Sequence, residues 1–172
     1  MTLNILPMAQ VTGSLIMPFG SFLTPKTNPK ILIALGEIFA LAMLLLTTFM
    51  DSFTLFTVFY VIGFGAQNFV YMIPVHHGWL WFPGRMGLIS GIIIGGYGLG
   101  AFLFDNVATK VINPDNLPLQ DNGWYPESVN ERFRKMLYVL IASWAVISVI
   151  GFAGIFQGPE KRPETNDAGR PQ

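Results

Sequence analysis

Residues 86–104 form the stretch that most limits how this chain can fold. No charged side chain occurs in it. As an α-helix it would be about 28 Å long at roughly 1.5 Å per residue, close to the ~30 Å hydrocarbon core of a bilayer. Six of its residues are glycines: Gly87, Gly91, Gly95, Gly96, Gly98 and Gly100. Each glycine would destabilise a helix in water by about 1 kcal/mol, but in lipid the backbone cannot give up its hydrogen bonds. The stretch therefore predicts a transmembrane helix whose glycines serve in helix packing, where another helix approaches closely or slides.

The rest of the chain has the same character. Of its 172 residues, 52% are hydrophobic and 12% are charged, against about 25% charged in soluble domains. The charges cluster between apolar runs instead of recurring along one face of each helix, which argues against a soluble helical domain with a large core. The ten acidic and ten basic residues cancel, so we expect no attraction to nucleic acid. The composition predicts an all-α, polytopic, multi-pass integral membrane protein with the lipid bilayer as its partner.

Five apolar runs predict five transmembrane helices, joined so that consecutive spans are antiparallel. The predicted spans are residues 3–23, 31–50, 53–75, 86–105 and 136–156. We expect residues 1–158 to form one helical bundle, with 76–85 as a connection and 106–135 as a non-cytoplasmic loop. The polar residues 159–172 are expected to form a disordered cytoplasmic tail.

Lysines and arginines in the loops predict the orientation of the bundle. One side would carry Lys26, Lys30, Arg85, Lys161, Arg162 and Arg170. The other side would carry Lys110, Arg132, Arg134 and Lys135. The larger group is expected to be cytoplasmic.

Four polar residues inside the spans are candidates for lining a substrate pathway. Glu37 is the one acid well inside a predicted span, and ionisable groups there are costly and usually functional. It is either a proton-coupling carboxylate or a group that reaches the interface or a cation. Gln67, Asn68 and Tyr71 share a helical neighbourhood at spacings of three and four residues. They either line a polar cavity or form hydrogen bonds between helices.

The loops offer no catalytic chemistry. Lys26, Lys30, Pro83 and Arg85 are candidates for a cytoplasmic loop and gating role. His76 and His77 are adjacent, and neighbours on a helix point about 100° apart, so a shared metal is not expected. The chain contains no cysteine and no nucleophile elbow, phosphate loop or dinucleotide fingerprint. We expect neither an enzyme nor a cofactor.

One junction resembles a known family. Residues 79–91 read WLWFPGRMGLISG and residues 95–101 read GGYGLGA. This is similar to the junction between the fourth and fifth helices of major facilitator superfamily transporters, in the oxalate/formate antiporter and monocarboxylate transporter branch, which carries W-F-P-x-R-R-G-L-x-x-G. Residues 20–30 resemble the loop between helices two and three. Thr24 stands where that loop usually has aspartate, and Met86 replaces the second arginine.

The resemblance implies a function and a place in a larger protein. The chain would correspond to helices two to six of a twelve-helix fold, a partial N-terminal half, with the remaining helices missing. It would transport small organic anions of the monocarboxylate, oxalate or formate type by alternating access, alone or together with protons. In this branch the basic residues that hold the carboxylate lie mostly in the C-terminal half, so none is transferred here. The alternative is a non-transporting membrane subunit, or a truncated product, that packs with a partner membrane protein.

Overall fold

The computed structural model describes residues 5–155, and within them all regular structure is helical. This confirms the all-α prediction. The helices are α1 (Ile5–Leu23), α2 (Pro29–Thr47), α3 (Phe53–Trp81), α4 (Met86–Ile112), the short α5 (Glu127–Glu131) and α6 (Phe133–Ala153). A 3₁₀ turn at Pro83–Arg85 leads into α4. The predicted cytoplasmic tail lies outside the described residues.

Helix α3 is the centre of the packing, with α1 and α2 both against it. Small residues on these two helices allow the close approach. A Cβ on Gly20 of α1 would collide with the carbonyl oxygen of Phe69, and one on Gly36 of α2 would collide with a methyl group of Val70. The buried core between α2 and α3 contains Ile73, which is fully buried, together with Leu32, Ile33 and Val70.

Helices α4 and α6 lie at the periphery of this three-helix core. No residue of either helix is buried among the described residues. Helix α4 contacts the end of α3, where the Trp79 indole N–H donates to the Ser90 hydroxyl at 2.8 Å. Helix α6 contacts α2 and α4. The described chain is thus a tight α1–α2–α3 group with two more loosely attached helices.

The connection expected at residues 76–85 is shorter in the structure, which corrects that boundary. Helix α3 continues through His76 and His77 to Trp81. It ends there because Pro83 disfavours helical geometry at Phe82, which has φ −130° and ψ 62°. The histidine and tryptophan residues before it carry no helix-breaking feature.

Helix α4 is also longer than expected, since it continues beyond residue 105 to Ile112. Asn106 remains helical, and its side-chain amide donates to the Phe102 carbonyl at 2.8 Å. The helix stops at Asn113, whose side chain bonds both the N–H and the carbonyl of Leu117. Pro114 follows and cannot continue the helix. The loop therefore begins at residue 113 and not at 106.

The two ends of the bundle differ in composition. At one end, the start of α2, the end of α3 and the end of α6 meet around Ile33, Trp81 and Ile155. At the other end, the guanidinium of Arg134 pairs with Asp51, and Arg132 pairs with Asp115 at 3.5 Å. The predicted assignment of the first end to the cytoplasm stays a prediction.

Among residues 5–155, five helices are long and apolar enough to cross a membrane. Many of their large apolar side chains point outward, as shown by Leu15 at 68% exposure and Val149 at 69%. Exposed apolar surface on this scale is unfavourable in water, whereas lipid tails provide an apolar environment for it. The protein is an integral, multi-pass membrane protein.

Candidate functional site

A cavity of about 650 Å³ lies among α2, α3, α4 and α6. Most of its wall is aliphatic or aromatic. Its polar side chains come from all four helices: Glu37, Gln67, Tyr71, Tyr97 and Ser148. No lysine, arginine or histidine is among the described residues that line it. The cavity therefore offers one carboxylate, one amide and three hydroxyl groups in an apolar setting.

Glu37 is the centre of the hydrogen bonding in this cavity. Its Oε2 accepts from the Trp144 indole N–H at 3.1 Å and from the Ser148 hydroxyl at 3.2 Å. The two donors are four residues apart, so they lie on the same face of α6. Between residues 5 and 155 no cation pairs with Glu37. The structure thus places Glu37 at a cavity and beside neutral donors, not in an ion pair.

Gln67 and Tyr71 enter the cavity from successive turns of α3. The Gln67 Oε1 atom is buried and has no hydrogen-bond partner. A buried acceptor without a donor costs about 1–3 kcal/mol, so such an atom needs an explanation. The Tyr71 ring meets the Tyr97 ring of α4 edge to face, with centroids 5.4 Å apart. This contact joins α3 and α4 at the cavity wall.

Asn68 is the pathway candidate that the structure does not place in the cavity. Its side-chain amide donates to the Phe64 carbonyl at 3.0 Å, within its own helix. A Cβ on Gly13 of α1 would lie 2.5 Å from its Nδ2 atom. The side chain therefore fills the α1–α3 interface, because the 100° step between neighbouring residues turns it away from Gln67. Of the four candidates, Glu37, Gln67 and Tyr71 line the cavity together.

Three residues of the site were not predicted from the sequence. Trp144 and Ser148 are polar groups one helical turn apart in a run whose other polar side chains are Tyr138 and Ser143, and that spacing was the available signal. Tyr97 is the one polar side chain between the glycines at 95 and 100. Each reaches the site through tertiary packing, which the sequence pattern does not specify.

The loop candidates lie near the end of the bundle where α2 begins. The Lys30 ammonium is 5.5 Å from the ring centroid of Phe152, and Phe152 lines the cavity. Lys26 sits 3.7 Å above the ring of Phe22. Pro83 and Arg85 belong to the exposed 3₁₀ turn before α4. Their gating role stays a prediction.

The histidines at the end of α3 contact aromatic rings. The centroids of the His76 and Trp79 rings are 5.0 Å apart. The Trp81 indole N–H donates to His77 Nε2 at 3.4 Å. Within residues 5–155 no group of three or more metal-binding side chains occurs.

The glycine surface of α4 is open. An ideal Cβ on any of the six predicted packing glycines would meet no described atom within 4 Å: Gly87, Gly91, Gly95, Gly96, Gly98 and Gly100. The described helices thus do not use this surface. Its role in packing stays a prediction that concerns a helix outside residues 5–155.

Two curated proteins are similar to this chain. "Apicoplast pyruvate carrier 1" of Toxoplasma gondii is 34% identical over 100 residues, which cover 57% of this chain and 18% of the carrier. "Oxalate:formate antiporter" of Oxalobacter formigenes is 27% identical over 110 residues, which cover 64% of this chain and 26% of the antiporter. The chain therefore matches about a fifth to a quarter of the length of these relatives.

No protein-family model matches the chain, and no solved structure matches it. The similarity to known proteins is thus a similarity to parts of two membrane transport proteins.

Proposed function

We propose that this chain forms part of a major facilitator superfamily transporter that moves small organic anions by alternating access. The observation that carries the proposal is a mostly apolar cavity with five polar side chains among four membrane helices, in a chain whose relatives carry pyruvate or exchange oxalate and formate. A transporter of this type binds its cargo near the bilayer midplane, between helices that rock as bodies. The loosely attached α4 and α6 suit such movement, because few buried contacts hold them.

The cavity has the size and chemistry for a small acid. Ligand cavities usually measure about 300–1,000 Å³, and this one has about 650 Å³. The amide of Gln67 and the hydroxyls of Tyr71 and Tyr97 are hydrogen-bond donors that a carboxylate accepts. The wall supplies apolar contact for a short carbon chain.

Lys30 is a positively charged residue next to the cavity wall. Its ammonium lies above Phe152, a residue of the cavity wall. A cation at the entrance raises the local concentration of anions and speeds their binding. The further basic residues that would hold a bound carboxylate are expected in the remaining helices of the transporter.

A non-transporting membrane subunit is the second candidate. The open glycine surface of α4 favours it, because small residues allow another helix to approach closely. The same surface would serve the remaining helices of a transporter. The two candidates differ in whether the assembled protein moves an anion.

Uptake into proteoliposomes tests the proposal. We would reconstitute the chain, and the longest transcript product that contains it, and measure entry of labelled pyruvate, lactate, oxalate and formate. Saturable uptake of at least one acid, with competition from the unlabelled acid, is expected for the longer form. If the folded longer form takes up none of the four, the transporter proposal is wrong. If it also purifies with a stoichiometric membrane partner, the subunit role is supported.

A matched pair of variants on α3 tests whether this cavity is the route. Gln67→Leu removes a polar group from the cavity wall while keeping a similar volume, and uptake is expected to fall at least tenfold. Thr57→Val is the control, because Thr57 bonds only the Phe53 carbonyl of its own helix at 2.8 Å. Equal uptake by both variants would place the route elsewhere.

A further inference from the structure

The cations at the end of the bundle where α2 begins have no carboxylate partners in the described chain. Lys26 lies in the α1–α2 loop, Lys30 in the first turn of α2, and Arg85 in the turn before α4. None of the three forms an ion pair with a described residue. At the opposite end, Arg132 and Arg134 each pair with an aspartate. The first end therefore carries three positive charges that no described side chain neutralises by pairing.

A second cavity, of about 380 Å³, lies at this same end among α2, α3 and α6. It shares Ile33 and Ile155 with the larger cavity, whereas Trp81 and Phe82 belong to its wall alone. Trp81 and Phe82 are 44% and 52% exposed, so an occupant can enter from the surroundings of the bundle. The Trp81 indole N–H already donates to His77. The wall thus offers mainly apolar surface, in a volume that is typical of ligand cavities.

Two of the three cations lie next to residues of this wall. Lys30 is one helical turn before Ile33 on the same face of α2, where Cβ atoms are about 5–6 Å apart. Its ammonium lies 5.5 Å from the ring centroid of Phe152, on the side of α6. The backbone N–H of Arg85 donates to the Phe82 carbonyl at 3.0 Å, and the residue is exposed. The second cavity therefore has one cation on its α2 side and another on its α3 side.

An anionic phospholipid has the chemistry that matches both parts of this arrangement. Its acyl chains are apolar and its phosphate is negative. Lysine and arginine near a membrane surface attract anionic lipids, and basic pockets between membrane helices bind their headgroups. Trp79 and Trp81 end α3, and tryptophan concentrates at the level of the headgroups. A soluble anion would use the charges alone, and a neutral lipid the apolar wall alone.

We propose that the second cavity binds an anionic phospholipid. An acyl chain packs against Trp81 and Phe82, and Lys30 and Arg85 attract the phosphate. The lipid fills the gap between the ends of α2, α3 and α6 and neutralises charges that the described chain leaves unpaired. This binding needs no transported acid, so it goes beyond the proposed function.

Quenching of Trp81 fluorescence by brominated lipid tests this site. We would place the full chain in phosphatidylcholine nanodiscs and add either phosphatidylglycerol or phosphatidylcholine that is brominated in its acyl chains. Subtracting the signal of Trp81→Phe isolates Trp81 from the other three tryptophans. Brominated phosphatidylglycerol is expected to reach half-maximal quenching at a mole fraction at least about fivefold lower, which corresponds to the attraction of one cation.

Two double variants of equal charge distinguish a site from general attraction. Lys30→Gln with Arg85→Gln should bring the half-maximal fractions of the two lipids within about twofold of each other. Lys110→Gln with Lys135→Gln removes the same charge from exposed residues at the other end and should leave the preference unchanged. Lys30→Arg keeps the charge and should retain the preference.

Each of the other outcomes would overturn the proposal. Equal quenching by both lipids in the native chain would mean that the cavity does not select the headgroup. A preference that persists without Lys30 and Arg85, or that falls equally without Lys110 and Lys135, would mean general charge attraction. If neither lipid quenches Trp81, residues 156–172 or a protein partner cover the cavity. No transported acid is present, so the proposed function stands or falls separately.

Discussion

Helices α3 and α4 are both long, apolar and glycine-containing, yet their glycines have opposite surroundings. The helices have 29 and 27 residues. On α3, Gly63 and Gly65 are buried, and a Cβ on Gly65 would lie 2.9 Å from the Ile16 Cδ1 atom. On α4, an added Cβ would meet nothing at any of the six glycines from 87 to 100. The spacing of glycines therefore shows that another helix can approach closely. Whether one does depends on a neighbour with a complementary surface.

The helices next to α3 also contribute glycines to the close helix contacts. Gly13 and Gly20 of α1 and Gly36 of α2 all face α3 side chains or backbone. The helix pairs approach so closely because glycine on one helix receives a side chain or carbonyl of the other. Within residues 5–155, no helix offers such a complement to the glycine surface of α4. Without a hydrophobic driving force in lipid, that complementarity is what makes two helices associate.

The largest difference in stability is expected between alanine substitutions at Gly20, which packs against α3, and at Gly95, which faces open space. Gly20→Ala would force a methyl group against the Phe69 carbonyl oxygen and should destabilise the fold by about 1–3 kcal/mol or more. Gly95→Ala meets open space and should change stability by less than about 1 kcal/mol, in the stabilising direction. Reversible unfolding in mixed micelles measures both. Equal destabilisation would contradict the difference between the two interfaces.

A larger side chain at Gly95 tests whether the α4 surface has a neighbour outside the described residues. Gly95→Leu should leave the unfolding free energy of this chain within about 0.5 kcal/mol of the native value, because exposed substitutions rarely change it more. In the longest form it should reduce folded yield or uptake severalfold, because the leucine would occupy the space of an approaching helix. Leu99→Ile is the control and should change neither. Unchanged yield and uptake for Gly95→Leu would mean that lipid alone covers this surface.

The fold class followed from the sequence because the bilayer imposes it. An uncharged run long enough to span lipid must be helical, whatever its glycine content. The helix ends were harder to predict from the sequence. The predicted third span ended at residue 75 and the fourth at residue 105, because the apolar runs end there. The chain stays helical until Pro83 and Pro114 force it to stop. Backbone geometry, not side-chain polarity, set those ends.

The site was only partly predictable for a related reason. Glu37, Gln67 and Tyr71 stood out because polar groups are rare in membrane spans, and they share one cavity. Asn68 stood out equally, but a rotation of about 100° from Gln67 turns it toward Gly13 of α1. Trp144 and Ser148 could be assigned to the site only from the packing of α6 against α2, where both side chains donate to Glu37. Composition identifies polar groups, whereas helix rotation and pairing decide which of them meet.

A substitution at the contact between α3 and α4 is expected to have an intermediate effect on stability. Ser90 accepts from the Trp79 indole at 2.8 Å and donates to the Met86 carbonyl at 2.9 Å. Ser90→Ala leaves the indole N–H unpaired and should cost about 0.6–1.7 kcal/mol, the range for hydrogen bonds between membrane helices. Ser14→Ala is the matched control, because Ser14 bonds only the Gln10 carbonyl of its own helix. A cost no larger than that of the control would mean that the bond does not hold α4 to α3.

The smallest effect is expected where α6 meets the loop between α2 and α3. Arg134 pairs with Asp51, but the two side chains are 57% and 88% exposed. Such pairs contribute about 0–1 kcal/mol because water and salt screen them. A double-mutant cycle with Asp51→Asn and Arg134→Gln should give a coupling below about 1 kcal/mol that weakens as salt is added. A larger, salt-insensitive coupling would mean that this end fixes α6 to the core. The distinction between a tight α1–α2–α3 group and loosely held outer helices would then apply to α4 alone.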